Sequence, residues 1–214
     1  MAKKKRLRGS TLAQIRWSGG EVLAAVHGLN ARCMELLAQV ACAPHAGDAW
    51  GVVFGFQDLW MQLSTAACVR AGRCPVLLLN VNFDRIDWWS RIRKGHTVVH
   101  AGAPVPLFAT GQAASLVREI LTEARTAARA QPSAARLVFG MSSFVSTAVA
   151  DLSAADIDRI AVAHGRELRP RWDDRTGFWK RLLEEANGTD PRVLAKIHLH
   201  CVQLLGRDLQ LING

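Results

Sequence analysis

Three side chains near the C-terminus have the chemistry of metal ligands: His198, His200 and Cys201. Their spacing argues against that use. On a helix two histidines at i and i+2 face apart, whereas helical zinc pairs sit at i and i+4. The five cysteines, Cys33, Cys42, Cys68, Cys74 and Cys201, show no CxxC spacing, so no metal and no cofactor is expected. Odd in number, they read as buried thiols of a reducing compartment. Acid–base catalysis would need partners at set distances. His164 near Asp156 and Glu167, or His96 and His100, supply the residue types, but nothing in their spacing requires such a site. The chain holds no P-loop, nucleophile elbow or HExxH, and no catalytic residue is assigned.

The remaining candidate chemistry is charge. Lys3, Lys4, Lys5, Arg6, Arg8 and Arg16 precede any acidic residue, and they account for +6 of a net charge of +9. Such a run attracts phosphates through counterion release, and it also serves simply as a solvated tail. On the last helix Val193, Leu194, Ile197, Cys201, Leu204 and Leu205 share one face, and Arg192, Lys196, Gln203 and Arg207 share another. A basic stripe opposite an apolar one suits a DNA-facing helix, and it suits a surface helix of any basic protein equally well. The helix before it, joined through Asn187-Gly188-Thr189, would complete a helix-turn-helix pair. Arg166, Arg169, Arg171 and Arg175 surround Trp172. They suit phosphate contact or internal pairing with Glu167, Asp173 and Asp174.

These residues must be positioned by helices. Half of the 214 residues are hydrophobic and 21% are charged, which is globular composition with ample core. No apolar run reaches the ~18 residues of a membrane span, and no h-region follows the basic N-terminus. A cytoplasmic location is expected. Residues 1–20 read as a flexible basic tail. A helix is expected from Glu21 to Val40, then two shorter ones to Val69. Cys74 to Phe83 reads as a short buried strand or a loop pinned in the core. Asp84 or Asp87 should cap a helix carrying Trp88 and Trp89. His96 to Pro106 reads as a linker. Beyond it a long helix should run from Gly111 to Ala130, with short helices to Gly140 and from Ser143 to Asp151. Ser153-x-x-Asp156 reads as a capping box for a helix to His164, ended by Gly165 as a left-handed cap. Asp173 or Asp174 should cap a helix from Thr176 to Ala186. Asp190 and Pro191 open the last helix, which ends near Gly206.

The chain also repeats itself. Val53-Phe54-Gly55-Phe56 and Asp87-Trp88-Trp89 in the first half correspond to Val138-Phe139-Gly140-Met141 and Gly177-Phe178-Trp179 in the second. The glycines are 85 positions apart, and Trp89 and Trp179 are 90 apart. Two diverged copies of one helical unit are expected, 21–102 and 103–214. Each would hold one short extended segment, and Gly55 should match Gly140.

The second copy resembles FlhD, a subunit of the flagellar master regulator of proteobacteria. The resemblance runs from Gln112 to Leu211. It rests on a long helix, the triplet Phe139-Gly140-Met141, Ala148, Leu152, Ile157-x-x-Ile160-Ala161, the segment Arg171-Trp172-Asp173, and Ile197-His198 in the last helix. It implies an all-helical, mainly α fold and a non-enzymatic transcriptional activator. It also implies a second subunit, FlhC-like, which carries the zinc site and much of the DNA contact. FlhD-like proteins also serve mobile-element transfer genes. Family members are single units, so two tandem units in one chain imply an intramolecular pseudo-dimer; further self-association is compatible with it. DNA contacts fall to Lys3, Lys4, Lys5, Arg6, Arg8, Arg192, Lys196, Gln203 and Arg207. Partner contacts fall to Trp88, Trp89, Arg171, Trp172 and Trp179, which would otherwise pack the two copies together. The alternative is an assembly scaffold of the same fold that reads no DNA. Deleting residues 1–9 should weaken binding equally on specific and scrambled duplexes, because flexible lysines reach phosphates without reading bases. A salt titration checks this: the log–log slope should flatten by ~0.9 per lost contact.

Overall fold

Apolar spacing in the first long segment sets the first helix against everything else. Val22, Val26, Leu29, Cys33, Met34 and Leu37 recur at helical intervals and are all buried. The computed structural model describes residues 11–43, 51–95, 106–188 and 190–213. Helix α1 spans Thr11–Cys42, so the helix starts ten residues before Glu21, and residues 11–20 are not tail. Ser18-Gly19-Gly20 does not interrupt it. Helix-internal glycines cost ~1 kcal/mol each relative to alanine, and the helix runs through them. The basic run of residues 3–8 and most of the linker, residues 96–105, lie outside the described residues.

Three short helices follow: α2 (Gly51–Phe54), α3 (Gln57–Met61) and α4 (Thr65–Gly72). Ser64 caps α4 by accepting from the Ala67 N–H. Gly72 is required by contact, since a Cβ there would lie 2.6 Å from the backbone nitrogen of Ala31 in α1. The segment from Cys74 is both of the things its sequence allowed. Leu79–Asn80 forms strand β1, and the residues before it are pinned in the core by Asn30. That buried amide donates to the Cys74 and Val76 carbonyls and accepts from the Leu78 N–H. Helix α5 then spans Ile86–Arg93.

The second half is built in the same order. Long α6 (Thr110–Ala130) leads to α7 (Pro132–Phe139), α8 (Ser143–Ala150) and α9 (Ala154–His164). Strand β2 (Arg169–Pro170) and α10 (Thr176–Asn187) follow, and then α11 (Pro191–Asn213), which has no counterpart among the described residues of the first half. Among the described residues the architecture is mainly α, and its two strands pair with each other.

Several local expectations hold. The Ser153–Asp156 capping box forms both of its bonds, and Asp190 accepts from the Arg192 N–H. Others do not. Gly165 has φ −55 and continues into a 3-10 turn, Gly165–Glu167, instead of forming a left-handed cap. It is glycine because a Cβ would meet the Ala114 nitrogen at 3.1 Å and the Ala113 carbonyl carbon at 3.3 Å. Neither aspartate pair caps its helix. Arg85 and Arg175 occupy those N-cap positions without a side-chain bond, and Asp84 instead accepts from Asn80. Helix α11 does not stop at Gly206. Gly55 and Gly140 do not correspond in conformation: Gly140 is left-handed at φ +67, while Gly55 has no positive φ.

The two halves meet through β1 and β2, which are antiparallel with Leu79 opposite Pro170 and Asn80 opposite Arg169. Shifting every number by 90 turns each pair into the other, so this register has local two-fold symmetry. Beyond each strand one residue takes a left-handed conformation, Asn82 at φ 54 and Trp172 at φ 57. The next helix then carries an indole N–H back to that turn: Trp89 to the Asn82 carbonyl at 3.0 Å, Trp179 to the Arg171 carbonyl at 2.9 Å. The helices after the strands are exchanged. α5 packs on α8 of the second half, and α10 packs on α2, α3 and α4 of the first. The aromatic contacts follow suit. Trp60 meets Trp179 at 6.2 Å, Phe83 meets Phe139 at 6.1 Å, and Trp88 meets His164 at 5.0 Å.

Arg171 locks this junction. It is 5% exposed. Its Nε donates to the Leu77 carbonyl at 3.0 Å and its Nη2 to the Phe139 carbonyl at 2.8 Å. One guanidinium therefore holds the first half's extended segment and the C-terminus of α7 together, where a cation is favoured by the helix dipole. Replacing it with Leu would leave two buried carbonyls without donors, at ~1–3 kcal/mol each. Arg171→Leu should therefore lower stability by roughly 3 kcal/mol or more. Exposed Arg166→Leu should stay within about 0.5 kcal/mol. Urea denaturation of the two variants beside the wild type is the measurement.

Candidate nucleic-acid interface

Helix α11 is amphipathic as its sequence requires. Leu194, Ile197, Cys201, Leu204 and Leu205 are buried, and Arg192, Lys196, Gln203 and Arg207 are exposed. At 100° per residue those four polar side chains fall within about 60° of one another. The stripe expected from the sequence is therefore an open surface. A second flank of the helix is also open but apolar, with Leu199 59% and Val202 44% exposed.

The helix is held by its inner face. Trp172 donates from Nε1 to Asp208 at 2.7 Å, tying α11 to the turn after β2. A bulky residue at positive φ is a genuine outlier, and the bond to Asp208 is one of the contacts that hold it. Cys201, a free thiol, neighbours Cys74 of the first half; that neighbour and burial push its pKa upward, away from the thiolate a metal requires. His198 turns inward, bonded to the backbone at Ala71 and facing His27 and Arg73. His200 points outward against the edge of Phe178, ring centres 6.2 Å apart. The three C-terminal residues of metal-ligand type thus face three directions. Among the described residues no group of three or more His, Cys, Asp or Glu is placed to hold a metal ion.

Beside the stripe, between α10 and α11, lies a cleft of 330 Å³. Arg175 at the N-cap of α10, Arg181 from α10, and His200 and Arg207 from α11 line its rim, over Phe178 and Leu204. Arg181 and His200 carried no signal as a pair in the sequence. They meet because α10 and α11 pack side by side, which periodicity does not specify.

The arginine cluster around Trp172 separates in space. Arg166 is exposed, Arg169 pairs with Asp84 at 3.6 Å, Arg171 is buried, and Arg175 reaches Asp174 at 3.5 Å. The five residues assigned to partner contact are all inside. Trp88, Trp89 and Trp179 are fully buried, Arg171 is 5% exposed and Trp172 8%. The physical reason is the exchange of α5 and α10, which spends these side chains on joining the halves; an outside partner would meet none of them. Lys3, Lys4, Lys5, Arg6 and Arg8 lie outside the described residues. His164 and Glu167 do pair, at 2.8 Å, with Asn82 donating to the other carboxylate oxygen at 2.7 Å. The pair is buried behind Trp88 and links the halves.

Comparison with protein-family models, with curated proteins and with solved structures finds no match to this chain. No described helix is long and apolar enough to cross a membrane by itself.

Burial lowers the pKa of His198 below the ordinary imidazole value near 6.5, helped by His27 and Arg73 and opposed by the bond to Ala71. His27 is lowered by burial and Arg73. A histidine with a lowered folded pKa binds more protons when unfolded. Its contribution is therefore complete above pH ~6.5 and is lost as pH falls below that value. Stability should decline on acidification through that window, and His198→Gln should flatten the decline. Denaturation midpoints from pH 7.5 to 5 read this directly.

Proposed function

We propose that this chain is a non-enzymatic subunit of a transcriptional regulator, similar to FlhD and built as two tandem FlhD-like units, 21–102 and 103–214, that form an intramolecular pseudo-dimer. It acts on DNA with a FlhC-like, zinc-carrying partner. The observation that carries the DNA reading is the open stripe Arg192, Lys196, Gln203 and Arg207 on α11. The recurrent order of elements and the two-fold register of β1 and β2 support the tandem reading. The non-enzymatic reading is supported by the placement of His164 and Glu167, which are spent on each other and on Asn82 inside the junction.

A scaffold that binds proteins but reads no DNA is the second reading. The exposed Leu199 and Val202 beside the stripe favour it, because apolar side chains in the open suit a protein contact.

A gel-shift titration with the partner present, at fixed salt, separates the two. If α11 reads bases, replacing Arg192 and Lys196 with Ala should cost specific binding more than non-specific binding, by ~1–3 kcal/mol for each base-reading side chain. An unchanged ratio with the partner still bound would remove base reading from this chain and leave the scaffold.

A further inference from the structure

The cleft between α10 and α11 differs in charge from three other cavities described in the fold. One of 360 Å³ beside Trp172 contains Asp84, Asp173, Asp174 and Asp208. Another contains Asp151 and Asp156, and a third Glu21 and Glu123. The α10–α11 cleft contains no carboxylate. Arg175, Arg181 and Arg207 converge on it instead. Arg181 and Arg207 make no ion pair or side-chain hydrogen bond among the described residues. Arg175 has only the solvent-exposed contact with Asp174, which is worth little.

Three like charges around one concavity repel, and only the exposed Asp174 contact of Arg175 offsets them. An anion in the cleft would reverse the sign of that interaction. Guanidinium groups match the oxygens of phosphate in a two-point fork. The floor supports the same choice of ligand. Gly177, in the first turn of α10, lines the cleft, and the N-cap Arg175 offers no side-chain acceptor to that turn. The Phe178 and Trp179 N–H groups bond to the Arg175 carbonyl, and Gly177 places the positive end of a 12-residue helix at the cleft. Phe178 and Leu204 close the bottom with apolar surface, and 330 Å³ leaves room for a phosphoryl group and the sugar esterified to it.

We propose that this cleft is a phosphoryl-binding site, formed by Arg175, Arg181 and Arg207 over the N-terminus of α10. The phosphate arrives either on a nucleic-acid backbone or on a small phosphorylated molecule. The site shares Arg207 with the stripe, but Arg175 and Arg181 lie outside it, and the proposal does not depend on the DNA reading.

The test uses the full chain at constant ionic strength. Inorganic pyrophosphate, with chloride as the reference anion, is titrated by calorimetry into the wild type and two double variants. One variant is Arg181→Ala with Arg207→Ala. The other, Arg192→Ala with Lys196→Ala, removes the same charge from the stripe alone. The expected result is saturable binding in the wild type and the stripe variant, weakened at least tenfold in the cleft variant. Arg181→Lys with Arg207→Lys keeps the charge without the fork and should recover only part of the affinity. Circular dichroism confirms that each variant is folded. A 20-base-pair duplex then identifies the source. For this arm Arg181→Ala alone is used, which leaves the stripe intact: weaker duplex binding assigns the site to backbone phosphate, and unchanged duplex binding assigns it to a small phosphorylated molecule. The proposal is overturned if pyrophosphate does not saturate, or if both Ala variants weaken it equally, which is charge screening. Failure of the wild type to bind any duplex counts against the DNA reading and leaves the pyrophosphate result standing.

Discussion

The structure depends on one junction, where a buried guanidinium joins two short extended segments. Strands β1 and β2 contribute only two residues each, which is too little to hold two helical units in register. The Arg171 side chain and backbone supply what the ladder lacks, bonding Leu77, Leu78 and Phe139 at once. Burying a cation is unfavourable unless every donor has an acceptor, so the site selects one geometry. Gly140 completes it. A Cβ there would collide with the Arg171 guanidinium and lie 2.8 Å from Leu205. The left-handed end of α7, the strand pair and the seating of α11 are thus set by the same few atoms.

Arginine recurs in this role. Arg70 of α4 donates twice to the Ala186 carbonyl at the end of α10. Arg129 of α6 donates to the Ala150 carbonyl at the end of α8, at 2.6 Å. Each places a cation on the unsatisfied carbonyls of a helix C-terminus, where the macrodipole also favours it. Three arginines are thus spent on stitching helices, and Arg70 stitches one half to the other. This division of labour separates structural arginines from available ones. Those on α11 and around the α10–α11 cleft end no helix and remain open to solvent.

Features written in short-range chemistry were legible in the sequence. The Ser153–Asp156 box, the Asp190 cap, the apolar face of α11 and the 90-residue spacing of Trp89 and Trp179 all rest on contacts within one or two turns. What was not legible depends on distant partners. Gly165 reads as a left-handed cap, yet the cause of its glycine is the backbone of α6, fifty residues away. Trp88, Trp89 and Trp179 read equally as a docking surface or as a seam, and only the exchange of α5 and α10 decides for the seam. Asp84 and Asp174 have the residue type of N-caps, but the arginine after each takes the N-cap position. The cleft is of the same kind: Arg181 and His200 lie on different helices, and no local rule brings them to one rim.

The exchange of α5 and α10 has a consequence for synthesis. The first half emerges from the ribosome with the faces of α2, α3 and α4 that receive α10 still uncovered, and with α5 lacking α8. At translation rates of about 5–20 residues per second, the ~100 residues between α4 and α10 take roughly 5–20 s to appear, and the ~50 between α5 and α8 about half as long. Throughout that interval Trp60 and Trp88, which end fully buried, lack their second-half partners Trp179 and His164. A chain built this way closes the core of its first half only after α10 has been made.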